Sequence, residues 1–309
     1  MHLLIPFAAC ADPASRQVLR TLQLPNLERV LHHLSALPLQ TWPRDSPSLP
    51  HERVWAQALG LPVSDPIAWA AWHAASSGHA ALGTAWAFIT PCHWQVEQAQ
   101  VTLLDPQALD LSEEESRSLL SAMQPYFAED GITLQFDKPA RWLASGELFR
   151  GLASASPQRV VGQDVAPWMP PAPALRRLQN EMQMLLYTHP LHDARVARRA
   201  LPVNSFWVSG SGALDSAPAP TGTPPTVAQQ LIAPALQRDW QAWAQAWQAL
   251  DSADCATLLT ALDQGATDVR LTLCGENNAL PFVHLPRRGW ARIRSVFSRP
   301  TLADAWDKL

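Results

Sequence analysis

The chain has 309 residues, 47% of them hydrophobic and 16% charged, which excludes an intrinsically disordered protein and leaves enough apolar material for a sizeable buried core. A formal net charge of −4 gives no global electrostatic attraction to nucleic acid or to an anionic membrane, so neither is an expected partner. No run approaches the roughly 20 apolar residues needed to span a bilayer.

Cys10, Cys92, Cys255 and Cys274 are scattered, with no C-x-x-C pair and no histidine at zinc spacing. That pattern fits reduced thiols better than a disulfide framework or a metal site. Phe7-Ala8-Ala9-Cys10 faintly resembles a lipoprotein cleavage site, but no lysine or arginine precedes it and Leu3-Leu4-Ile5 is too short for a signal core. The expected location is the cytoplasm. Fourteen tryptophans stand against two tyrosines, and rings of that size need buried area, so most belong in a core or a groove.

In chain order, His2 to Ala9 reads as a short buried strand suited to the centre of a sheet. Leu19 to Leu37 has helical spacing, with Pro25-Asn26 as a start signal inside it. Thr41 to Pro50 is proline-rich and reads as a connector. Val54–Leu59 and Ile67–Ala75 look like helices flanking a loop. Ala85–Ile89 and Val101–Leu104 read as strands. Ser112 followed by Glu113, Glu114 and Glu115 is a helix N-terminus, with the helix running to about Glu129. Ile132–Phe136 alternates as a half-buried strand. Residues 154–174 read as a loop, and Leu175–Tyr187 as a strong helix. Four prolines make Ala217–Pro225 the least ordered internal stretch. Between Leu231 and Leu250, the stripe Leu236, Trp240, Trp243, Trp247 is better explained as core packing than as a ligand box. Val269–Cys274 and Ala279–His284 pair through the turn Gly275 to Asn278. The arginine-rich tail Arg287–Arg299 offers either a solvated helix face or an anion or partner surface.

Unusual residues are densest from Tyr187 to Gly212. His189-Pro190 closes a helix, a short basic helix follows, and Phe206-Trp207-Val208 reads as a buried strand leading into the loop Ser209-Gly210-Ser211-Gly212. A strand ending in a Gly/Ser loop leaves backbone N–H groups free, which is where α/β proteins build sites; an ordinary strand exit explains the same residues. Arg195, Arg198 and Arg199 beside that loop are the ingredients of a phosphate or carboxylate pocket, or simply of a solvated helix. His189 and His192, three apart and followed by Asp193, could form half a metal site, although Pro190 argues for a turn. Nucleophile candidates are Ser64, in the Pro-flanked pair Ser64-Asp65, and Ser205, Ser209 and Ser211. The G-x-S-x-G elbow, the Walker A loop and the G-x-G-x-x-G fingerprint are all missing.

His189-Pro190, Ala194-Arg195 and Pro202-x-Asn204-Ser205-x-Trp207-x-x-Gly210-x-Gly212 resemble a motif of the archaeal-type cofactor-independent phosphoglycerate mutases, members of the alkaline phosphatase superfamily. Leu24-Pro25-Asn26-Leu27-Glu28-Arg29 is similar to their T-P-N-L-D-R helix start, and Trp86 to Pro106 with the acid-capped helix resembles their inserted lobe. Over nearly the whole chain the resemblance is closer to the RpfE-type bacterial regulatory proteins, through Pro91-Cys92-His93-Trp94 and the run Asn180 to Leu186. The resemblance implies an α/β fold with an alkaline-phosphatase-like central sheet flanked by helices and a small inserted α+β lobe. Residues 1–80 and 150–309 would form the main domain and 81–149 the lobe.

The sequence departs from the catalytic pattern of that superfamily. After the first strand, where the resemblance implies a metal-ligating Asp, stand Pro6-Phe7-Ala8-Ala9, with no acid before Asp12. After Val269–Cys274, where it implies Asp and His ligands, stand Gly275-Glu276-Asn277-Asn278. The phosphoryl-accepting serine has only Ser64 as a candidate. Two-metal phosphoryl transfer needs cations that clamp both oxygens, so these losses imply a degenerate, non-catalytic relative with a regulatory or small-anion-binding role. In that reading Arg195 grips the anion, and His189, Asn204, Ser205, Ser209, Gly210, Ser211 and Gly212 surround it; the partners are a phosphorylated small molecule or another protein. The alternatives are a working phosphomutase or phosphatase with Mn²⁺ or Zn²⁺ on His189, His192, Asp193 and Asp65, and a protein-interaction module.

Overall fold

A computed structural model of the chain describes residues 1–220, 222–284 and 301–309. The strands in chain order are β1 (His2–Ile5), β2 (Ser35–Ala36), β3 (Gln40–Thr41), β4 (Ala85–Cys92), β5 (Trp94–Val96) and β6 (Val101–Leu103). They continue with β7 (Thr133–Lys138), β8 (Arg141–Ser145), β9 (Ser205–Ala213), β10 (Thr226–Val227), β11 (Arg270–Cys274) and β12 (Asn278–Val283). The helices begin with α1 (Pro13–Thr21), α2 (Pro25–His33), α3 (Pro50–Ala58), α4 (Trp69–Ser76), α5 (Glu113–Glu129) and α6 (Pro157–Val160). The rest are α7 (Pro173–Thr188), α8 (Pro190–Ala197), α9 (Ile232–Leu236), α10 (Trp240–Leu250), α11 (Ala256–Asp263) and α12 (Leu302–Lys308). The arginine-rich segment 287–299 lies outside the described residues. Among the described residues no helix is long and apolar enough to cross a membrane.

The chain divides into two compact units, the first made of residues 1–45, 49–59 and 220–309 and the second of 46–48 and 60–219. The expected division at 81 and 150 is corrected by β9. That strand pairs antiparallel with β4 from Ala85↔Ala213 to Cys92↔Ser205, so residues well beyond 150 belong to the same sheet as the expected lobe.

The first unit is built on a mixed sheet of order β10-β1-β11-β12-β2, with β3 also pairing with β12. Neighbours β10 and β11 run parallel to β1, and β12 runs antiparallel to β11. Its class is α/β, as expected: a mixed sheet flanked by helices. Strand alternation sends Leu3, Ile5, Leu271, Leu273 and Phe282 into a core with α1, α2, α10 and α11. Trp243 and Trp247 are completely buried in that core, so the aromatic stripe of α10 is packing. The other face carries Leu4, Cys274 and Ala279 against Val54 and Trp55 of α3.

Helix α2 shows how distant sequence completes a local element. Pro25 presets the first turn, but the N-cap position is Leu24, which has no side-chain acceptor. The acceptor is Asp251, just after α10: its carboxylate takes the Leu27 N–H at 2.7 Å and the Asn26 N–H at 3.2 Å.

The second unit has an antiparallel sheet of order β7-β8-β4-β9 and a small β5-β6 ribbon. One sheet face packs Ala87, Ile89, Trp142, Phe206 and Val208 against Leu119, Met123 and Phe127 of α5 and Leu178 and Met182 of α7. Ser112 and Glu115 form a capping box that starts α5, as the acidic signature predicts.

Candidate functional site

Each residue of the 187–212 stretch has a definite place. Helix α7 stops at Thr188, and His189 caps α8, its Nδ1 accepting the Leu191 N–H at 3.2 Å. The His192 ring packs on Tyr187, with centroids 5.1 Å apart, and Asp193 is exposed. Asn204 behaves as a surrogate strand residue: its Oδ1 accepts the Trp94 N–H at 2.7 Å and its Nδ2 donates to the Trp94 carbonyl at 2.9 Å. Ser205 is buried, and its Oγ has no hydrogen-bond partner among the described residues.

The expected anion pocket at Arg195 does not exist in this geometry. Arg195 is 1% exposed, and its guanidinium is already committed. Nε donates to the Leu201 carbonyl at 2.7 Å, Nη1 to Glu115 at 2.8 Å, and Nη2 to the Leu109 carbonyl. Arg198 donates to the other oxygen of the same carboxylate. Burial alone would raise the Glu115 carboxyl; the Ser112 N–H and the Arg195 and Arg198 guanidinia outweigh it and hold the group below the usual carboxylate range. A bound anion would have to displace Glu115 from a buried ion pair, which strips that carboxylate of its buried partner.

The Ser209–Gly212 segment is not a loop but the second half of β9. Ser209 pairs with Phe88 and Gly212 with Trp86, so Gly210 and Ser211 face Ala87 alone in a bulge. Ser211 Oγ lies 2.6 Å from the Leu152 carbonyl and 2.6 Å from Ser154 Oγ. Gly210 has φ +59°, and a Cβ there would stand 3.0 Å from Trp69 Cβ and from the Phe88 ring. Glycine is needed for close approach of α4 to the sheet, a role that looks like a phosphate loop in sequence.

The metal alternative meets a similar obstacle. Among the described residues no group of three or more His, Cys, Asp or Glu side chains is placed to hold a metal ion. His189, His192, Asp193 and Asp65 are not brought together as such a group. Ser64 is exposed in a bend, and the neighbouring Asp65 accepts from Ser46 Oγ at 3.0 Å.

At the C-terminal end of β1, Phe7, Ala8, Ala9 and Cys10 are all at most 6% exposed. Ala8 N–H donates to the Cys274 carbonyl at 2.7 Å, the Trp243 indole donates to the Phe7 carbonyl at 3.1 Å, and Ala11 N–H donates to Glu276 at 3.1 Å. Burial, then the Glu276 and Asp12 carboxylates, push the Cys10 thiol up to about 12, so it stays protonated at neutral pH and is a poor nucleophile. The ends of β1 and β11 are thus closed by apolar side chains, a thiol and main-chain bonds.

A cavity elsewhere in the first unit is lined by His2, Asp268, Arg270 and Thr272, among others. None was a candidate from sequence. The one legible sign was the alternation of polar and apolar residues in Arg270-Leu271-Thr272-Leu273, which puts two polar side chains on one face of a strand in a mostly apolar sheet.

No family model and no curated protein sequence matches the chain. Among solved structures it is similar to the cofactor-independent phosphoglycerate mutase from Thermoplasma acidophilum, at 13% identity and a TM-score of 0.35, over 91% of this chain and 89% of that one. It is also similar to the PH0037 protein from Pyrococcus horikoshii, at 11% identity and a TM-score of 0.44, over 92% of this chain and 87% of that one.

Proposed function

We propose that the chain is a phosphoglycerate mutase-like protein that performs no phosphoryl transfer and serves as a cytoplasmic regulatory or binding protein, as the resemblance to the RpfE-type bacterial proteins implies. The observation that supports this reading is the closed end of β1. Phosphoryl transfer by two metal ions requires acids that hold both cations against the transferred group. The residues at that position are Phe7, Ala8, Ala9 and Cys10, buried and bonded to the main chain of β11 and the indole of α10. A carboxylate pair cannot be introduced there without displacing this packing.

The experiment is a thermal-shift series on metal-stripped protein with Mn²⁺, Zn²⁺, 3-phosphoglycerate and phosphate, alone and combined, beside an assay of 3- to 2-phosphoglycerate conversion. A ligand at about 100 times its Kd adds roughly 2.7 kcal/mol to the folded state, a readily measured shift. The reading expects no turnover and no cooperative gain from metal plus phosphoglycerate. Turnover that depends on added metal would overturn it.

A further inference from the structure

The sheet of the first unit has one face that is covered in two different ways. Near the C-terminal ends of β1 and β11, Leu4 and Cys274 pack tightly under Val54 and Trp55 of α3. Near their N-terminal ends, the same face presents His2, Arg270 and Thr272, which share the parity of Leu4 and Cys274 in the register His2↔Arg270 and Leu4↔Thr272. There a cavity of about 320 Å³ opens, bounded by Leu37, Val54 and Val283 among its apolar residues. That volume is at the lower end of small-molecule sites, about 300–1,000 Å³, and suits a single compact metabolite rather than a nucleotide or a peptide.

The polar groups define what kind. His2 Nε2 and Thr272 Oγ1 are 2.9 Å apart and occupied with each other. Burial first, then the Arg270 charge, lower the His2 imidazole to about 4, so at neutral pH it brings no charge into the cavity. Two opposite side-chain charges stand together at the exposed mouth, with Arg270 Nε 3.3 Å from Asp268 Oδ1, and the Met1 ammonium donates to the Asp268 main-chain carbonyl at 2.6 Å. A lone phosphate dianion would meet Asp268 as well as Arg270. A molecule that carries a carboxylate and an ammonium on one carbon satisfies both, and its side chain can reach the apolar wall.

We propose that this cavity binds a free α-amino acid with an apolar side chain, its carboxylate on Arg270, its ammonium on Asp268, and its side chain against Leu37, Val54 and Val283. This goes beyond the proposal of lost phosphoryl transfer and does not depend on it, since it concerns residues away from the closed end of β1.

Isothermal titration of the full chain with L-leucine, L-methionine and L-phenylalanine tests it. Three partial analogues accompany them: 4-methylpentanoate without the ammonium, 3-methylbutylamine without the carboxylate, and glycine without the apolar side chain. Saturable binding of at least one of the three amino acids is expected, with each analogue of leucine weaker by about tenfold or more, which corresponds to 1.4 kcal/mol. Asp268→Asn and Arg270→Ala, both at exposed positions, are expected to weaken it by a similar factor while their melting temperatures stay near that of the parent chain. No saturable binding of any of the three amino acids would sink the proposal. So would 4-methylpentanoate binding as tightly as leucine, or unchanged affinity in both variants. The mutase assay is read separately, so failure of one proposal is not mistaken for failure of the other.

Discussion

The Glu115 carboxylate accepts a 2.8 Å hydrogen bond from Nη1 of Arg195, 80 positions away in sequence, and the same side chain closes the capping box that starts α5. One carboxylate thus fixes a helix start and neutralises a buried guanidinium. Removing Glu115 leaves the Arg195 guanidinium as an unpaired buried charge, at about 3–5 kcal/mol, whereas removing Arg195 leaves Glu115 still paired with Arg198 and the Ser112 N–H. Glu115→Ala is expected to lose stability of that order in urea denaturation, and Arg195→Ala less, because Arg198 remains on the carboxylate. The double variant is expected to lose clearly less than the sum, because the second change removes the stranded charge. Additive losses would show that the pair is not coupled.

Asp251 is 4% exposed and supplies the missing cap of α2 from the far end of α10. Asp251→Ala strands two backbone N–H groups at the helix start, and a loss of about 2 kcal/mol is expected by chemical denaturation. Asp251→Asn keeps one acceptor oxygen and should lose less. Equal losses in the two variants would mean that the contribution comes from charge alone.

Gly210 sits at φ +59° in the β9 bulge, against Trp69 and Phe88. An alanine there meets both the left-handed backbone penalty and a crowded neighbour, so Gly210→Ala is expected to destabilise by about 2–3 kcal/mol. Gly78 also has a positive φ, but nothing lies within 4 Å of a Cβ placed there. Gly78→Ala carries the backbone penalty alone, about 1 kcal/mol. The difference between the two variants isolates the packing contribution.

His2 gives a pH signature. Its folded-state value of about 4 lies below the ordinary 6.5, with Arg270, Asp268, the amino terminus and Thr272 as the groups around it. Between those values the unfolded chain binds the proton and the folded chain does not, so stability is full above about 6.5 and falls as the pH drops toward 4. Glu115 and Asp137, held below their usual values, add their own loss only at lower pH, where carboxylates protonate. The difference between the stability curves of the parent chain and His2→Gln is expected to change between pH 6.5 and 4 and to be flat above 7. A flat difference across the whole range would show that His2 titrates normally.

Local signals carried far where the physics was local. The acidic cap at Ser112–Glu115, the helical stripe of α10 and the β11–β12 hairpin across Gly275 to Asn278 all stand as the sequence predicts. Each depends on contacts within a few residues or on a periodicity that burial enforces. Helix α1 has Asp12 before Pro13 as its start signal, but its buried side is only Ser15 and Leu19, too few apolar residues to mark a helix in the sequence. Strand β8 was missed because a tight turn after Lys138 separates it from β7, with no glycine to mark it.

The sequence by itself determined the central place of β1 and the absence of acids after it, and its resemblance implied the α/β class, because a short apolar run and the absence of a residue type can be read in one dimension. Tertiary structure decided what the Arg195 cluster and the Gly210 segment are for. A guanidinium that grips an anion and one that pairs with Glu115 look the same along the chain, as do a glycine that frees N–H groups and one that admits Trp69. The cavity beside Arg270 was decided in three dimensions for the same reason: its walls come from β1, α3, β11 and β12, and only their packing brings these distant segments around one volume.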